Sequence, residues 1–358
     1  MSPWDAAELP DGADVHTFFD QPDLLPGFAD ANRPRAIAAG IDPFQYDAVT
    51  AELTSIRDWP TAFASAGREH LARAEQADEQ GLSASASEAY RDAALWFHFA
   101  TVLPNPDLDA HAAAAKASAD AQRRADPAAE HITDPDFAGI LRRPTGIRAP
   151  VVVLIPGMNS GKVEFMSIAD SLLRRGVAVL AIDGPGQGEL ATRSHWEPEY
   201  QKVVHRVLDV IADWSDVDGR RVAAMALSMG GYLGALAAAH EPRIRALVSV
   251  SGPSALHWDQ LAPYVTDTFA LRTGSAAAGR DFARSINAAE IAPRIAQPMR
   301  VLDGGLDVIP GVANAEPLAR HAPNAEYLLI PEGNHLLETT RWKWLPDTAD
   351  WLANHLRK

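Results

Sequence analysis

Ser228, Asp307 and His335 are the residue types that together convert a hydroxyl into a nucleophile, and they occur in that order along the chain. A serine hydroxyl attacks poorly at neutral pH until a base removes its proton. An imidazole, with an unperturbed pKa of about 6.5, is suited to that task. A carboxylate on the far ring nitrogen fixes the tautomer and stabilises the cation that forms. Each of the three follows a short apolar run, at 222–227, 299–302 and 327–330. Ser228 stands between the run Val222-Ala223-Ala224-Met225-Ala226-Leu227 and the small-residue helix pattern that begins Met229-Gly230-Gly231. A serine pinned between a buried strand and a helix is exposed by the turn, and the helix N-terminus offers N–H groups to a developing oxyanion. Asp303, at the end of its own strand, competes with Asp307 for the carboxylate role. The second oxyanion donor beside the Met229 N–H is assigned to Met158, with Asn159 as its neighbour, in the Pro156-Gly157-Met158-Asn159-Ser160-Gly161 loop. The pattern G-x-S-x-G is spelled Ala226-Leu227-Ser228-Met229-Gly230 here. The extra methyl is the smallest intrusion available, and Gly230, Gly231 and Gly234 still permit close packing.

The elements that must position these groups alternate. Apolar runs at 151–155, 177–182, 222–227, 246–250, 299–302 and 327–330 read as strands. Helical patterns occupy 162–175, 199–215, 229–240, 288–295 and 313–321, with a final helix over 346–356. Such alternation implies a parallel sheet covered on both faces, with ligands at the carboxyl ends of the strands. The order Ser…Asp…His is that of the α/β-hydrolase fold. Residues 28–124 read differently: they are helical and alanine-rich, with apolar spacings of three and four over 59–80 and 85–103. Gly81-Leu82-Ser83 separates those two stretches, and Pro104-Asn105-Pro106 ends the second. Trp96, Phe97 and Phe99 are expected between helices, with His98 packed among them. The expected organisation is an α/β-hydrolase catalytic domain over 131–358, preceded by an all-helical cap domain over 1–130.

Other chemistries find less support. The run Asp183-Gly184-Pro185-Gly186-Gln187-Gly188-Glu189 has the wrong spacing for a phosphate loop, so it reads as a tight turn whose N–H groups Asp183 holds. No metal-ligand spacing appears among the 12 histidines. The chain has 0 cysteines, which excludes disulfides and thiolate chemistry. No metal and no cofactor are expected. Residues 1–135 carry 9 Lys+Arg against 23 Asp+Glu, and the rest 23 against 24. The charge imbalance therefore lies in the helical part, as a solvated acidic surface, and nucleic acid is not an expected partner. The start Met1-Ser2-Pro3-Trp4-Asp5 lacks a leader's basic and apolar regions, and no apolar stretch approaches the ~20 residues of a membrane span. A cytoplasmic location without membrane contact is the expectation.

Three features together resemble one branch of the α/β-hydrolases: the 183–189 turn, the Pro156-Gly157-Met-Asn-Ser-Gly-Lys162 loop with Glu164 after it, and a helical domain ahead of the sheet. That branch holds the 2,6-dihydroxypseudooxynicotine hydrolase of nicotine breakdown, fungal polyketide-shortening pigment hydrolases and fermentation-respiration-switch esterase-like proteins. The resemblance covers roughly residues 25–356 and departs at Ala226 and at Met158-Asn159. It implies Ser228, Asp307 and His335 as a triad, a site between cap and sheet, a homodimer, and hydrolysis of a carbon–carbon bond beside a carbonyl. The substrate would be a small molecule, aromatic or polyketide-like, expelled in part as a carbanion. Asn159, Asp259 and His257 are candidate substrate contacts, the last two alternatively sitting on a surface loop. A carboxylesterase, lactonase or acyltransferase would use the same triad, and a non-enzymatic binding protein is the remaining alternative.

Overall fold

The computed structural model describes residues 18–357; Met1–Asp5 and the rest of the first 17 residues lie outside it. The first part is helical: α1 Leu24–Ala39, α2 Pro43–Ala51, α3 Trp59–Glu79, α4 Ser83–Phe99 and α5 Leu108–Ala125. Local chemistry sets the ends. Asp42 caps α2 by accepting from the Phe44 and Gln45 N–H groups, with Pro43 in the first turn, where its missing N–H costs nothing. Asp107 caps α5 through the Ala110 N–H. Aromatic rings hold the helices together. Trp59 and Phe63 stack at 4.1 Å, and the Trp59 indole donates to the Phe99 carbonyl at 3.0 Å. Trp96 and Phe99 are fully buried, as expected, and Phe97 nearly so.

The second part runs β1 Glu130–Thr133, β2 Ala138–Arg142, β3 Ala149–Ile155, α6 Met166–Leu173, β4 Ala178–Asp183, α7 Gln201–Ala212, β5 Val217–Leu227, α8 Met229–His240 and β6 Ile244–Val250. It continues with β7 Ala255–Leu256, α9 Pro263–Thr273, α10 Ala276–Ser285, α11 Ala288–Ile291, β8 Met299–Gly304, β9 Val312–Ala313, α12 Glu316–His321, β10 Ala325–Ile330 and α13 Arg341–Arg357. Eight strands form one sheet in the order β1-β2-β4-β3-β5-β6-β8-β10. From β4 to β10 all neighbours are parallel, whereas β1 and β2 add an antiparallel edge. The parallel strands expected from apolar runs are all present. The inner ones, β3, β4, β5, β6 and β8, are buried on both faces along their apolar runs, which is why those runs read as continuous, whereas β10 at the edge is half-exposed.

Several details differ from expectation. The helix expected over 162–175 begins only at Met166, because residues 159–165 form a loop that carries buried charges instead. That expected over 313–321 starts at Glu316, and that over 288–295 stops at Ile291, where Pro293 tightens the chain into a 3₁₀ turn. The last helix begins earlier, at Arg341, with Pro346 inside it. Three features had no counterpart: β1–β2, the β7–β9 ribbon and the α9–α10 hairpin. Almost all of α9 is buried, polar residues included, so it lacks the amphipathic period by which helices are read. The Tyr264 ring of α9 packs on Phe18 and Phe28. The cover over the sheet is therefore composite, made of N-terminal helices and a hairpin inserted between β6 and β8.

Candidate active site

β5 ends at Leu227, and Ser228 takes φ 56° and ψ −130°, an unfavourable backbone for a residue with a Cβ. The turn persists because its surroundings fix it. The Ser228 N–H donates to the Val250 carbonyl at 2.8 Å, and its carbonyl accepts from Gly231 at 2.7 Å. Ala226 fits because the residue facing it is Gly234: a Cβ built there would lie 2.7 Å from the Ala226 methyl. The missing glycine of the elbow is thus compensated one turn into α8. On the other side the loop after β3 presses on the serine. A Cβ at Gly157 would lie 2.8 Å from that of Ser228, so only glycine passes here.

The loops after β8 and β10 are sewn together by backbone bonds. Gly305 N–H donates to Ile330 O and Leu306 N–H to Gly333 O, at 2.8 and 2.9 Å. This brings Asp307 to His335. Both carboxylate oxygens lie 2.9 Å from His335 Nδ1, and His335 Nε2 lies 2.9 Å from Ser228 Oγ. With the ring proton on Nδ1, the histidine donates to Asp307 and accepts from the serine. Burial acts against the charged ring, but the Asp307 charge and hydrogen bond outweigh it, so the His335 pKa lies above its ordinary value. Asp303 does not reach the ring. Its Oδ2 accepts from the Ala315 N–H and the Tyr327 hydroxyl, and burial pushes its pKa up to about 6.

Ser228 and His335 open into a cavity walled mainly by apolar side chains, among them Leu256, Val265, Phe269, Ile309 and Val312. Met158, Met229 and Asn159 line it too. Met229 is the first residue of α8, so its N–H has no intrahelical acceptor. Asn159 is buried, and its Nδ2 donates to the Tyr264 hydroxyl at 2.6 Å. Asp259 and His257 do not reach the cavity. Both are exposed, near a 3₁₀ turn over Trp258–Gln260, because β7 carries the chain outward after β6 to pair with β9.

Other residues were not anticipated as site-builders. Gln187 is fully buried and donates to the Pro156 and Gly157 carbonyls at 2.8 and 3.2 Å, while its own carbonyl accepts from Gly184 N–H and Tyr200 Oη–H. Asp183 accepts from the Glu189 N–H, as expected of that turn, and also from the Lys162 N–H and the Lys162 ammonium, the last at 2.6 Å. Arg35 of α1 lines the cavity from the helical side. Its Nε and Nη2 donate to Glu164 at 2.6 and 2.8 Å, and Nη2 also donates to Asn159 O at 2.7 Å. His98 Nε2 stands 2.8 Å from the same Glu164 carboxylate. Burial works to raise the pKa of Glu164, but Arg35 and His98 hold it well below the usual carboxylate range. A signal existed for Glu164 in its place after the Pro-Gly loop. None existed for Arg35, one arginine on an exposed-looking helix.

Comparison with known proteins agrees with this architecture. Residues 150–292 match the family model for the alpha/beta hydrolase fold. A 2,6-dihydropseudooxynicotine hydrolase of Paenarthrobacter nicotinovorans is 26% identical over 213 residues, 58% of either chain. A 20-hydroxy-prefusarin hydrolase of Gibberella moniliformis is 41% identical over 113 residues, 30% of this chain and 27% of that one. The chain thus spans little more than half of the bacterial relative and about a quarter of the fungal one. The crystal structure of a 2,6-dihydroxy-pseudo-oxynicotine hydrolase superposes with a TM-score of 0.79 at 23% identity, covering 90% of this chain and 95% of that one. The chain therefore has the α/β-hydrolase fold, and parts of its sequence are similar to these hydrolases.

Proposed function

We propose that this protein is a serine hydrolase that cleaves a carbon–carbon bond beside a carbonyl, in an acyl-arene, β-dicarbonyl or polyketide-like small molecule. The observation that carries the catalytic reading is the pair of 2.9 Å contacts running from Ser228 through His335 to Asp307 at the mouth of an apolar cavity. His335 takes the Ser228 proton as the hydroxyl attacks the ketone, and Asp307 stabilises the imidazolium. The Met229 and Met158 N–H groups hold the oxyanion. The reading is supported by two relatives named as hydrolases of small organic compounds, 2,6-dihydropseudooxynicotine and 20-hydroxy-prefusarin. The apolar lining suits such a substrate, since few polar groups compete with its ring or chain for contact.

A fluorophosphonate probe tests the nucleophile: Ser228 is labelled in folded protein, and Ser228→Ala loses both labelling and about 10⁴-fold or more in kcat. Substantial turnover by Ser228→Ala would instead assign His335 to activating water. Assay of a β-diketone beside p-nitrophenyl acetate tests the bond. Hydrolysis of the ester with the diketone left intact would make the protein an esterase.

A further inference from the structure

In carbon–carbon cleavage the bond that breaks ends on carbon, so its electron pair must be taken up by a neighbouring carbonyl of the leaving fragment. We propose that Arg35 receives that charge, by binding the carbonyl oxygen of the departing fragment as it becomes an enolate; this rests on the carbon–carbon reading above.

Among the described residues Arg35 is the one arginine or lysine lining the cavity around Ser228. It arrives from α1 and lines the same cavity as the sheet-borne serine and histidine, so a substrate attacked by Ser228 shares that cavity with it. The guanidinium is aimed by its partners. Nε and Nη2 are committed to the Glu164 carboxylate, the Asn159 carbonyl and, at 3.3 Å, the Ser160 hydroxyl. The plane also lies over the Phe99 ring at 5.6 Å. Nη1 makes no hydrogen bond among the described residues, so two donors of a fixed fork remain. Burial alone would make this cation easier to discharge. Glu164 reverses that, and the Arg35 pKa is raised. The charge is therefore permanent, and the field of Arg35 reaches His335 itself.

The step balances as follows. Ser228 Oγ bonds to the acyl carbon while its proton passes to His335 Nε2. The tetrahedral intermediate collapses, the acyl carbon–carbon bond breaks, and its electron pair moves onto the neighbouring carbonyl oxygen, giving an enolate beside Arg35. The imidazolium proton then passes to the carbanion carbon, releasing a ketone. Water hydrolyses the acyl-enzyme to a carboxylic acid and restores the hydroxyl. A ground-state ketone oxygen is a weaker acceptor than the enolate, so the contact strengthens in the transition state and raises kcat. An ester places its leaving charge on the atom that His335 protonates, and has no use for Arg35.

The experiment compares 1-phenylbutane-1,3-dione with p-nitrophenyl acetate on wild-type, Arg35→Met and Arg35→Lys protein, with thermal melts and fluorophosphonate labelling rates alongside. The expected loss in kcat for Arg35→Met is at least about 100-fold greater for the diketone than for the ester, the size of effect seen on removing one donor to a developing anion. Arg35→Lys recovers about tenfold of that difference. If Arg35→Met does not fold, Arg35→Lys and Arg35→Gln carry the same comparison. Equal losses on both substrates would make Arg35 only a strap between α1 and the Glu164 loop, and equal retention would leave it no role; either overturns the proposal while the carbon–carbon reading stands. A wild-type protein that hydrolyses the ester but spares the diketone overturns that reading and this one together.

Discussion

The sheet side and the helical side of the cavity are built by opposite means. On the sheet side position is held by strain: Ser228 itself, Leu336 and Leu337 directly after His335, and Ser251, whose hydroxyl accepts from Leu336 N–H, all have positive φ, between 53° and 62°. Such backbones cost about 1–3 kcal/mol each and persist only where the surroundings over-determine them, which the fully buried strands do. On the helical side position is held by charge. Arg35, Glu164 and His98 form a buried chain of hydrogen bonds, beside the amide of Asn159 and the hydroxyl of Tyr264. The strained side fixes one constellation that any acyl transfer could use. The charged side is made of side chains that also touch the cavity, so changes there can alter contacts with a substrate while the triad residues stay the same.

The largest effect should come from the strained side. Asp307→Asn keeps the shape of the loop but removes the charge that raises the His335 pKa. The proposed mechanism needs the neutral ring, so the wild-type rate is expected to fall as the pH drops through that raised pKa. In Asp307→Asn burial and the Arg35 charge both lower the His335 pKa, opposed only by Glu338, and the acid limb moves to lower pH. The tautomer is also no longer enforced, and kcat/KM falls by about 10³–10⁴-fold. A pH–rate profile checks both. A small loss with an unmoved limb would return Asp303 as the acid.

How much could be read from the chain follows the same division. Ser228, Asp307 and His335 were legible because parallel strands are unbroken apolar runs, and their carboxyl ends are marked by the residues at which the runs stop. Asp307 was separable from Asp303 only by position beyond the strand, and the backbone bonds from Gly305 and Leu306 show why that position reaches the histidine. Asp259 and His257 follow β6 in the same way but were misplaced as contacts. Nothing in the local sequence says that β7 leads outward to pair with β9. Arg35 and Tyr264 were illegible for another reason. A helix that covers a site has no strand end to mark it, and α9 shows no solvent face at all.

Gln187 bonds to the loop after β3, and Gln187→Ala measures how far the oxyanion role proposed for that loop depends on its being held. The Gln187 bond to the Gly157 carbonyl acts on the same peptide unit that carries the Met158 N–H. Without it the donor is free to drift, and a displacement of about 1 Å can cost 10²-fold. The expectation is a 10- to 100-fold loss in kcat with KM changed by less than about threefold. A rise in KM alone would make Gln187 part of substrate binding.

On the helical side Tyr264→Phe should affect stability more than rate. The hydroxyl donates to the buried Val102 carbonyl at 2.9 Å and accepts from Asn159. Its removal leaves both short of a partner, at a cost of about 1–3 kcal/mol. A melting temperature lowered by several degrees with kcat within about threefold is the expected result. A kcat loss above tenfold would move Tyr264 into the chemistry.

Asp303→Asn should have the smallest effect on rate, and the clearest dependence on pH. The carboxyl has a pKa of about 6 in the folded state, against about 3.9 when unfolded. The native state therefore binds this proton more tightly, and the group's contribution to stability is greatest below about pH 4. That contribution is lost as the pH rises to and beyond 6, in total by about 3 kcal/mol. An asparagine can still accept from Ala315 N–H and Tyr327 Oη–H, and it carries no charge to bury. Relative to wild type, then, Asp303→Asn should gain in melting temperature between pH 4 and pH 7.5, with activity reduced less than about threefold. A melting difference that is flat with pH would mean that Asp303 is solvated like any surface carboxylate. The strained side would then tolerate charge as freely as the helical side does.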